Sequence, residues 1–131
     1  MRMDRLKLLI VDDEIVVQQS CVDIFIEKGG CYEITTVSSG EEALGILEEK
    51  SFDIILTDIK MPGLPGLQLL SDITNKYPDT AIIVITGYAT VRTAVEAMKL
   101  GAVDFIPKPF TPDEIYNAVE NIASRIRNRK K

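Results

Sequence analysis

Asp12, Asp13, Asp58, Thr86 and Lys108 are the residues of this chain whose types and positions could do chemistry together. Asp12 and Asp13 follow the apolar run Leu6–Val11, Asp58 follows Asp53–Thr57, Thr86 ends Thr80–Thr86, and Lys108 follows Val103–Pro107. Short runs rich in β-branched and aliphatic residues read as strands buried on both faces. All five polar residues are therefore expected at the carboxyl ends of strands. In a parallel sheet those ends share one edge, and ligands of doubly wound folds bind in the crevice there, where the strand order reverses. If the first and third strands are neighbours at that point, Asp12, Asp13 and Asp58 converge and Thr86 and Lys108 flank them.

Three carboxylates in one crevice repel one another at neutral pH and need a compensating charge. The chain has no His, and neither Cys21 nor Cys31 has CxxC or metal-ligand spacing, so the available donors are hard oxygens. That donor set favours Mg²⁺, which is usually held by one or two carboxylates together with a phosphate. An Asp beside Mg²⁺ and a Lys can attack a phosphoryl group, because the cations screen the approach of two anions; the product is an aspartyl phosphate. Asp58, between the acidic pair and the Thr and Lys, is the expected nucleophile. The Thr86 hydroxyl and the Lys108 ammonium are expected on phosphoryl oxygens.

The elements that must position these residues alternate along the chain. A fifth strand pattern lies at Tyr32–Val37, and helical periodicity covers Ile15–Lys28, Glu41–Lys50, Leu67–Lys76, Val91–Leu100 and Pro112–Asn128. Ser39 with Glu42 and Thr111 with Glu114 have capping-box spacing, Pro112 suits a first helical position, and Gly29 and Gly101 suit helix ends in the left-handed region. Alternation with short connections implies right-handed crossovers and a parallel sheet with helices on both faces.

Length and charge set the outer bounds. The 131 residues suit one domain, expected over 1–124, followed by a basic tail or the start of a linker helix over 125–131. Five of the fifteen basic residues, and none of the twenty acidic ones, fall in the last seven positions. The acidic body disfavours nucleic-acid binding by the domain itself, and the terminal cations suit the negative pole of a helix. No apolar run reaches the ~20 residues needed to cross a bilayer, and the N-terminus has no cleavage pattern, so a cytoplasmic location without membrane association is expected.

The runs LLIVDDE (8–14), ILTDIKMPGLPG (55–66), IVITGY (83–88) and GAVDFIPKPF (101–110) resemble the hallmark segments of response-regulator receiver domains in two-component signalling. The resemblance implies a flavodoxin-like fold, with a five-stranded sheet in the order 2-1-3-4-5 and five flanking helices. It implies Asp58 as phosphoacceptor, Mg²⁺ on Asp12 or Asp13, on Asp58 and on the Lys60 backbone carbonyl, and phosphate contacts from Thr86 and Lys108. It also implies that Phe105 turns inward as Thr86 moves toward the phosphate, and that the Lys108–Pro109 bond is cis. The implied partners are a sensor histidine kinase or phosphotransfer protein, a downstream effector domain or protein, and a second copy of the chain after phosphorylation. The protein is then a regulatory domain rather than an enzyme, with output through the fourth helix, last strand and last helix. The segment 87–105 is most similar to receivers joined to AAA+ transcriptional activators of the NtrC and DctD kind, which points to control of transcription.

Three departures from the family pattern stand out. Pro65 occupies a position where many receivers are acidic and should stiffen the loop shaped by Pro62, Gly63 and Gly66. Gly87 follows Thr86 where Ala or Ser is common and should leave the phosphate site more open. Lys60 and Tyr88 lie at two variable positions that influence phosphoryl lifetime in this family, and a cation with an aromatic there implies slow to intermediate hydrolysis. Glu14 reads as a helix-start charge. A phosphohydrolase of the haloacid-dehalogenase type would need a DxD signature where this chain has Asp12-Asp13-Glu14. A receiver-like module without phosphorylation would lack Asp58 or Lys108, and both are present.

Overall fold

The strand and helix pattern is realised in the computed structural model, which describes residues 5–29, 32–60 and 65–129. In chain order the elements are β1 (Leu6–Val11), α1 (Ile15–Glu27), β2 (Tyr32–Val37), α2 (Gly40–Glu49), β3 (Ile54–Thr57), α3 (Gly66–Lys76), β4 (Ala81–Thr86), α4 (Val91–Lys99), β5 (Asp104–Pro107) and α5 (Pro112–Arg129). The sheet is parallel throughout, in the order β2-β1-β3-β4-β5. The expected 2-1-3-4-5 arrangement is therefore present, and every element boundary lies within one residue of its sequence expectation.

Period-two alternation in the strands divides the core between the two faces of the sheet. Leu8 and Ile10 of β1, Ile54 and Leu56 of β3, and Ile83 and Ile85 of β4 point to one face, where α1 and α5 cover them with Cys21, Ile24, Phe25, Ile115, Val119 and Ile122. Leu9, Val11, Ile55, Ile82 and Val84 point to the other and pack against Leu47, Leu69, Leu70, Ile73 and Ala97 of α2, α3 and α4. The three central strands are buried on both faces almost throughout, which is why they read as nearly continuous apolar runs, broken in β1 only by Lys7. Truncating one such Leu or Ile to Ala costs about 2–5 kcal/mol. Helix α4 is the least embedded element: it buries Thr93 and Ala97, while Val91, Val95 and Met98 stay exposed. Elements with so little buried apolar surface belong to the low-stability end of a fold.

Local signals act largely as their spacing implies. Gly29 and Gly101 follow α1 and α4 with φ of +71° and +114°. Thr111 and Glu114 form a reciprocal capping box, with bonds of 2.7 and 3.2 Å. At α2 the Ser39 hydroxyl accepts the Glu42 N–H, but the Glu42 carboxylate takes the N–H of Ser38 instead of completing the reciprocal pair on Ser39. The Lys108–Pro109 bond is cis. Residues 125–129 form the last turns of α5. Burial pushes the Cys21 thiol up to about 12, so it is an inert part of the core. Cys31, Pro62, Gly63, Lys130 and Lys131 lie outside the described residues. Among the described residues no helix is long and apolar enough to cross a membrane.

Gly66 is where the fold presses closest on the loop after β3. A Cβ at this position would run into the backbone of Ile59, which cannot swing aside as a side chain can. Gly45, in the exposed middle of α2, meets nothing within 4 Å. Urea unfolding separates the two roles: Gly45→Ala should raise stability by about 0.5–1 kcal/mol through helix propensity. Gly66→Ala should lower it by about 1–3 kcal/mol through overpacking, and equal midpoints for the two variants would contradict this reading.

Candidate functional site

The carboxyl edge of the sheet brings its polar residues together as the strand ends require. Val11 pairs with Thr57 in the β1–β3 register, and the N–H of Asp58 bonds to Val11 O at 3.1 Å. This places Asp12 and Asp58 side by side, one residue past each strand. On the other flank Thr86 pairs with Pro107, and the N–H of Lys108 bonds to Thr86 O at 2.8 Å. The Lys108 side chain then spans the gap. Its ammonium donates to Asp58 Oδ2 at 2.8 Å, to Asp12 Oδ2 at 2.9 Å and to Glu14 Oε1 at 3.3 Å.

The environment is polar, and its central groups are buried. Asp12 is 0% exposed and Asp58 4%, and the Lys108 side chain retains 15%. Burial holds the Asp12 carboxyl above its ordinary value, although the Glu14 N–H and Lys108 both favour its charged form. Burial alone would depress the Lys108 ammonium; the hydrogen bonds it donates to Asp58 and Asp12 outweigh it and hold the group above the ordinary Lys range. The remaining oxygens are also committed: Asp12 Oδ1 accepts the Glu14 N–H at 2.9 Å, and Asp58 Oδ1 accepts the Lys60 N–H at 2.8 Å.

Carboxylate oxygens of Asp12, Glu14 and Asp58 lie within 4.8 Å of one another. Asp13, expected among the ligands, is exposed and outside that cluster, whereas Glu14, read from sequence as a helix-start charge, is inside it. Asp12's side chain turns into the crevice and the chain then turns into α1, so alternate residues of the loop face the site. The donors are carboxylates without nitrogen or sulfur ligands, and this chemistry fits a hard divalent cation such as Mg²⁺. Lys60 is positioned by its N–H on Asp58, which brings its peptide unit beside the same carboxylate.

Thr86 and Phe105 occupy their expected places but with partners the sequence does not name. Thr86 is buried, and its hydroxyl oxygen accepts the N–H of Tyr88 at 3.0 Å. The carbonyl of Tyr88 accepts the hydroxyl of Thr93 at 3.1 Å, and Thr93 forms a capping box with Thr90 at the start of α4. A hydrogen-bonded path thus runs from the site to the weakest helix. Phe105 is half-buried against the core face that carries α2, α3 and α4. The Lys60 ammonium sits 4.6 Å from the centre of the Tyr88 ring, across an open cleft of about 210 Å³ lined by Glu14, Asp58, Lys60, Gly87, Tyr88 and Lys108. Sequence reasoning missed Thr93 because a Thr at the third helical position is a weaker capping signal than Glu. It missed the role of Glu14 because rotamer and loop direction decide it.

Comparisons with known proteins agree with this geometry. The family model "Response regulator receiver domain" matches residues 8–120. The chain is 38% identical over 104 residues to the response regulator protein FleR of Pseudomonas aeruginosa, covering 79% of this chain and 22% of that protein. It is 36% identical over 124 residues to the DNA-binding transcriptional regulator NtrC of Klebsiella pneumoniae, covering 92% and 25%. The CheY-like receiver domain protein of Methanospirillum hungatei superposes with a TM-score of 0.86 at 28% identity, covering 95% of this chain and 99% of that one. The chain thus spans roughly a quarter of the length of these two curated relatives.

Lys108 is the compensating charge for two buried carboxylates, so Lys108→Met should destabilise the fold by about 3 kcal/mol at pH 7, the cost of leaving buried charge unpaired. Without Lys108 the Asp12 carboxyl is held further above its unfolded value. That penalty is present above the unfolded Asp value of ~3.9 and disappears as pH falls toward it. Urea unfolding of both proteins at several pH values should show the gap widest at pH 7 and narrowing toward pH 4; a gap independent of pH would contradict the assignment.

Proposed function

The chain belongs to the response regulator receiver domain family, and from that premise we propose that it is a phosphorylation switch whose phosphoacceptor is Asp58. The observation that carries this reading is the Lys108 ammonium, held within 2.9 Å of both Asp58 and Asp12 at the carboxyl edge of the sheet. An Asp58 oxygen attacks the phosphorus of a donor, the donor's bond to phosphorus breaks with its electron pair leaving on the donor, and an acyl phosphate remains. Lys108 moves with the charge and pairs with a phosphoryl oxygen. The Thr86 hydroxyl gives up the Tyr88 N–H and donates to another. Asp12 and Asp58, with Glu14 beside them and the Lys60 carbonyl, would hold Mg²⁺, and Asp13 would join them only by turning its exposed side chain inward. Bound there, Mg²⁺ supplies positive charge that screens two anions from each other and stabilises charge on the transferring group.

The rest of the switch follows from the same bonds. When Thr86 releases Tyr88, the loop that anchors Thr93 and caps α4 loses its hold, and Phe105 turns into the space Thr86 vacates. The output face is α4, β5 and α5, where Val91, Val95, Met98 and Val103 are exposed. The donor is a sensor histidine kinase or phosphotransfer protein of the cytoplasm. The recipient is an effector domain or protein that acts on transcription, and phosphorylation pairs two copies of the chain. This reading treats residues 1–124 as the receiver and 125–131 as the start of a basic tail or linker. The domain catalyses only its own phosphorylation and slow dephosphorylation.

Intact-mass spectrometry after incubation with acetyl phosphate and Mg²⁺ tests the reading directly. One added phosphoryl group is expected, absent in Asp58→Asn and absent when Mg²⁺ is chelated; no addition from any small-molecule or protein donor would defeat it. The Lys60–Tyr88 pair across the cleft mouth hinders attacking water, so the phosphorylated form should persist for minutes or longer and Tyr88→Ala should shorten its life several-fold. A lifetime of seconds in the unsubstituted protein would count against that role.

A further inference from the structure

Gln18 is a polar residue on the core-facing side of α1, among Val17, Cys21, Ile24 and Phe25, and only 8% exposed. Its amide nitrogen donates to Asp12 O at 2.7 Å and to Val37 O at 3.1 Å, and lies 3.1 Å from the Ser38 hydroxyl oxygen. Val37 O also accepts the N–H of Asp12 at 3.2 Å. The peptide groups on both sides of Asp12 are therefore tied to one point at the end of β2, one directly and one through Gln18.

We propose that Gln18 is a positioning residue for Mg²⁺: by fixing the carbonyl of Asp12 it sets the direction in which the acidic loop Asp12–Glu14 leaves β1, and so the affinity of the site for the ion. This inference rests on the function proposed above. Its physical basis is the expense of the arrangement. Ordering a Gln side chain costs rotamer entropy. Burying its amide adds a desolvation cost unless the amide is hydrogen-bonded. A Leu or Met in its place would avoid burying an amide, but it would take the 2.7 Å donor from the carbonyl of a fully buried residue. With that donor gone, the Asp12–Asp13 peptide can rotate, and the carboxylates that follow it spread over more orientations. The ion would then have to restore the order from its own binding energy.

A purely structural Gln18 predicts something else, because its loss would lower stability and leave Mg²⁺ affinity alone. The two are separated by titrating the full chain with Mg²⁺ and following the Asp13 amide by NMR, alongside the Mg²⁺ concentration that half-saturates phosphorylation by acetyl phosphate. In Gln18→Met both should rise about tenfold, the scale typical of residues that orient metal ligands. Phosphorylation at saturating Mg²⁺ should return to near the unsubstituted level. Ser38→Ala, which removes only the hydroxyl, should keep the unsubstituted affinity. Should Gln18→Met fail to fold, Gln18→Asn retains the amide with a reach one methylene shorter and should show the same weakened, saturable dependence on Mg²⁺. A folded Gln18 variant with unchanged affinity, or one whose phosphorylation deficit persists at saturating Mg²⁺, overturns the proposal. An unsubstituted chain that binds no Mg²⁺ at all would instead overturn the phosphoacceptor reading on which it rests.

Discussion

The contact of one ammonium with two buried carboxylates governs the arrangement of this edge of the molecule. At an effective dielectric constant of ~20, two unit charges ~4 Å apart interact by about 4 kcal/mol. That is a large share of the ~5–15 kcal/mol by which a domain is stable. Asp12 and Asp58 are therefore tolerable as neighbours only with Lys108 between them. Lys108 reaches them from the far flank because β5 ends beside β4, its backbone N–H bonded to Thr86 O. Sheet order, strand register and the segment after β5 all bear on this meeting of charges.

The same constraint explains why polarity is confined to one edge. Elsewhere the central strands contribute apolar residues to both faces, and α1 with α5, and α2 with α3 and α4, close over them. At the carboxyl edge the buried set changes to Asp12, Thr57, Asp58 and Thr86. Each of the three site residues among these has a hydrogen-bond partner that belongs to a loop: Glu14 for Asp12, Lys60 for Asp58 and Tyr88 for Thr86. The strand ends fix where these polar groups stand, and the loops after β1, β3 and β4 answer to them. A change at Asp58 is consequently felt first in the loops, of which the one after β4 leads into the helix with the least buried surface.

Most of this was legible in the sequence because strands buried on both faces leave continuous apolar runs, and the residues ending those runs are unmistakably polar. The ends of those runs alone put Asp12, Asp58, Thr86 and Lys108 at one edge of a parallel sheet. The order of the strands came from resemblance, since periodicity alone does not say which strands are neighbours. The residues that escaped are those whose roles depend on direction. Asp13 and Glu14 are adjacent acids in one loop, and which of them faces the crevice is a matter of backbone torsion and rotamer. Gln18 did leave a trace, a polar residue at a helix position whose neighbours at 17, 21, 24 and 25 are apolar, but its partners Asp12 and Val37 are fixed only by tertiary structure.

A switch of this kind also has an energetic requirement that the hydrogen bonds make concrete. A signal that adds nothing different to the two states shifts neither, and moving a population from 1:99 to 99:1 takes ~5.5 kcal/mol of differential interaction. A phosphoryl group on Asp58 would offer Thr86 a charge-assisted bond worth ~1.5–3 kcal/mol, while Lys108 would exchange its present charge-assisted bonds for others of the same kind. Against that stand the Thr86–Tyr88 and Thr93–Tyr88 bonds that must be given up, each neutral and worth ~0.5–1.5 kcal/mol. The two sides then balance to within a few kcal/mol, small enough for the exchange to be reversed when the phosphoryl group is lost. A more deeply buried α4, held by several Leu or Ile side chains at ~2–5 kcal/mol apiece, would exceed what the modification can supply. On the proposed function, the thin attachment of α4 through Thr93 and Ala97 suits the size of the signal that would move it.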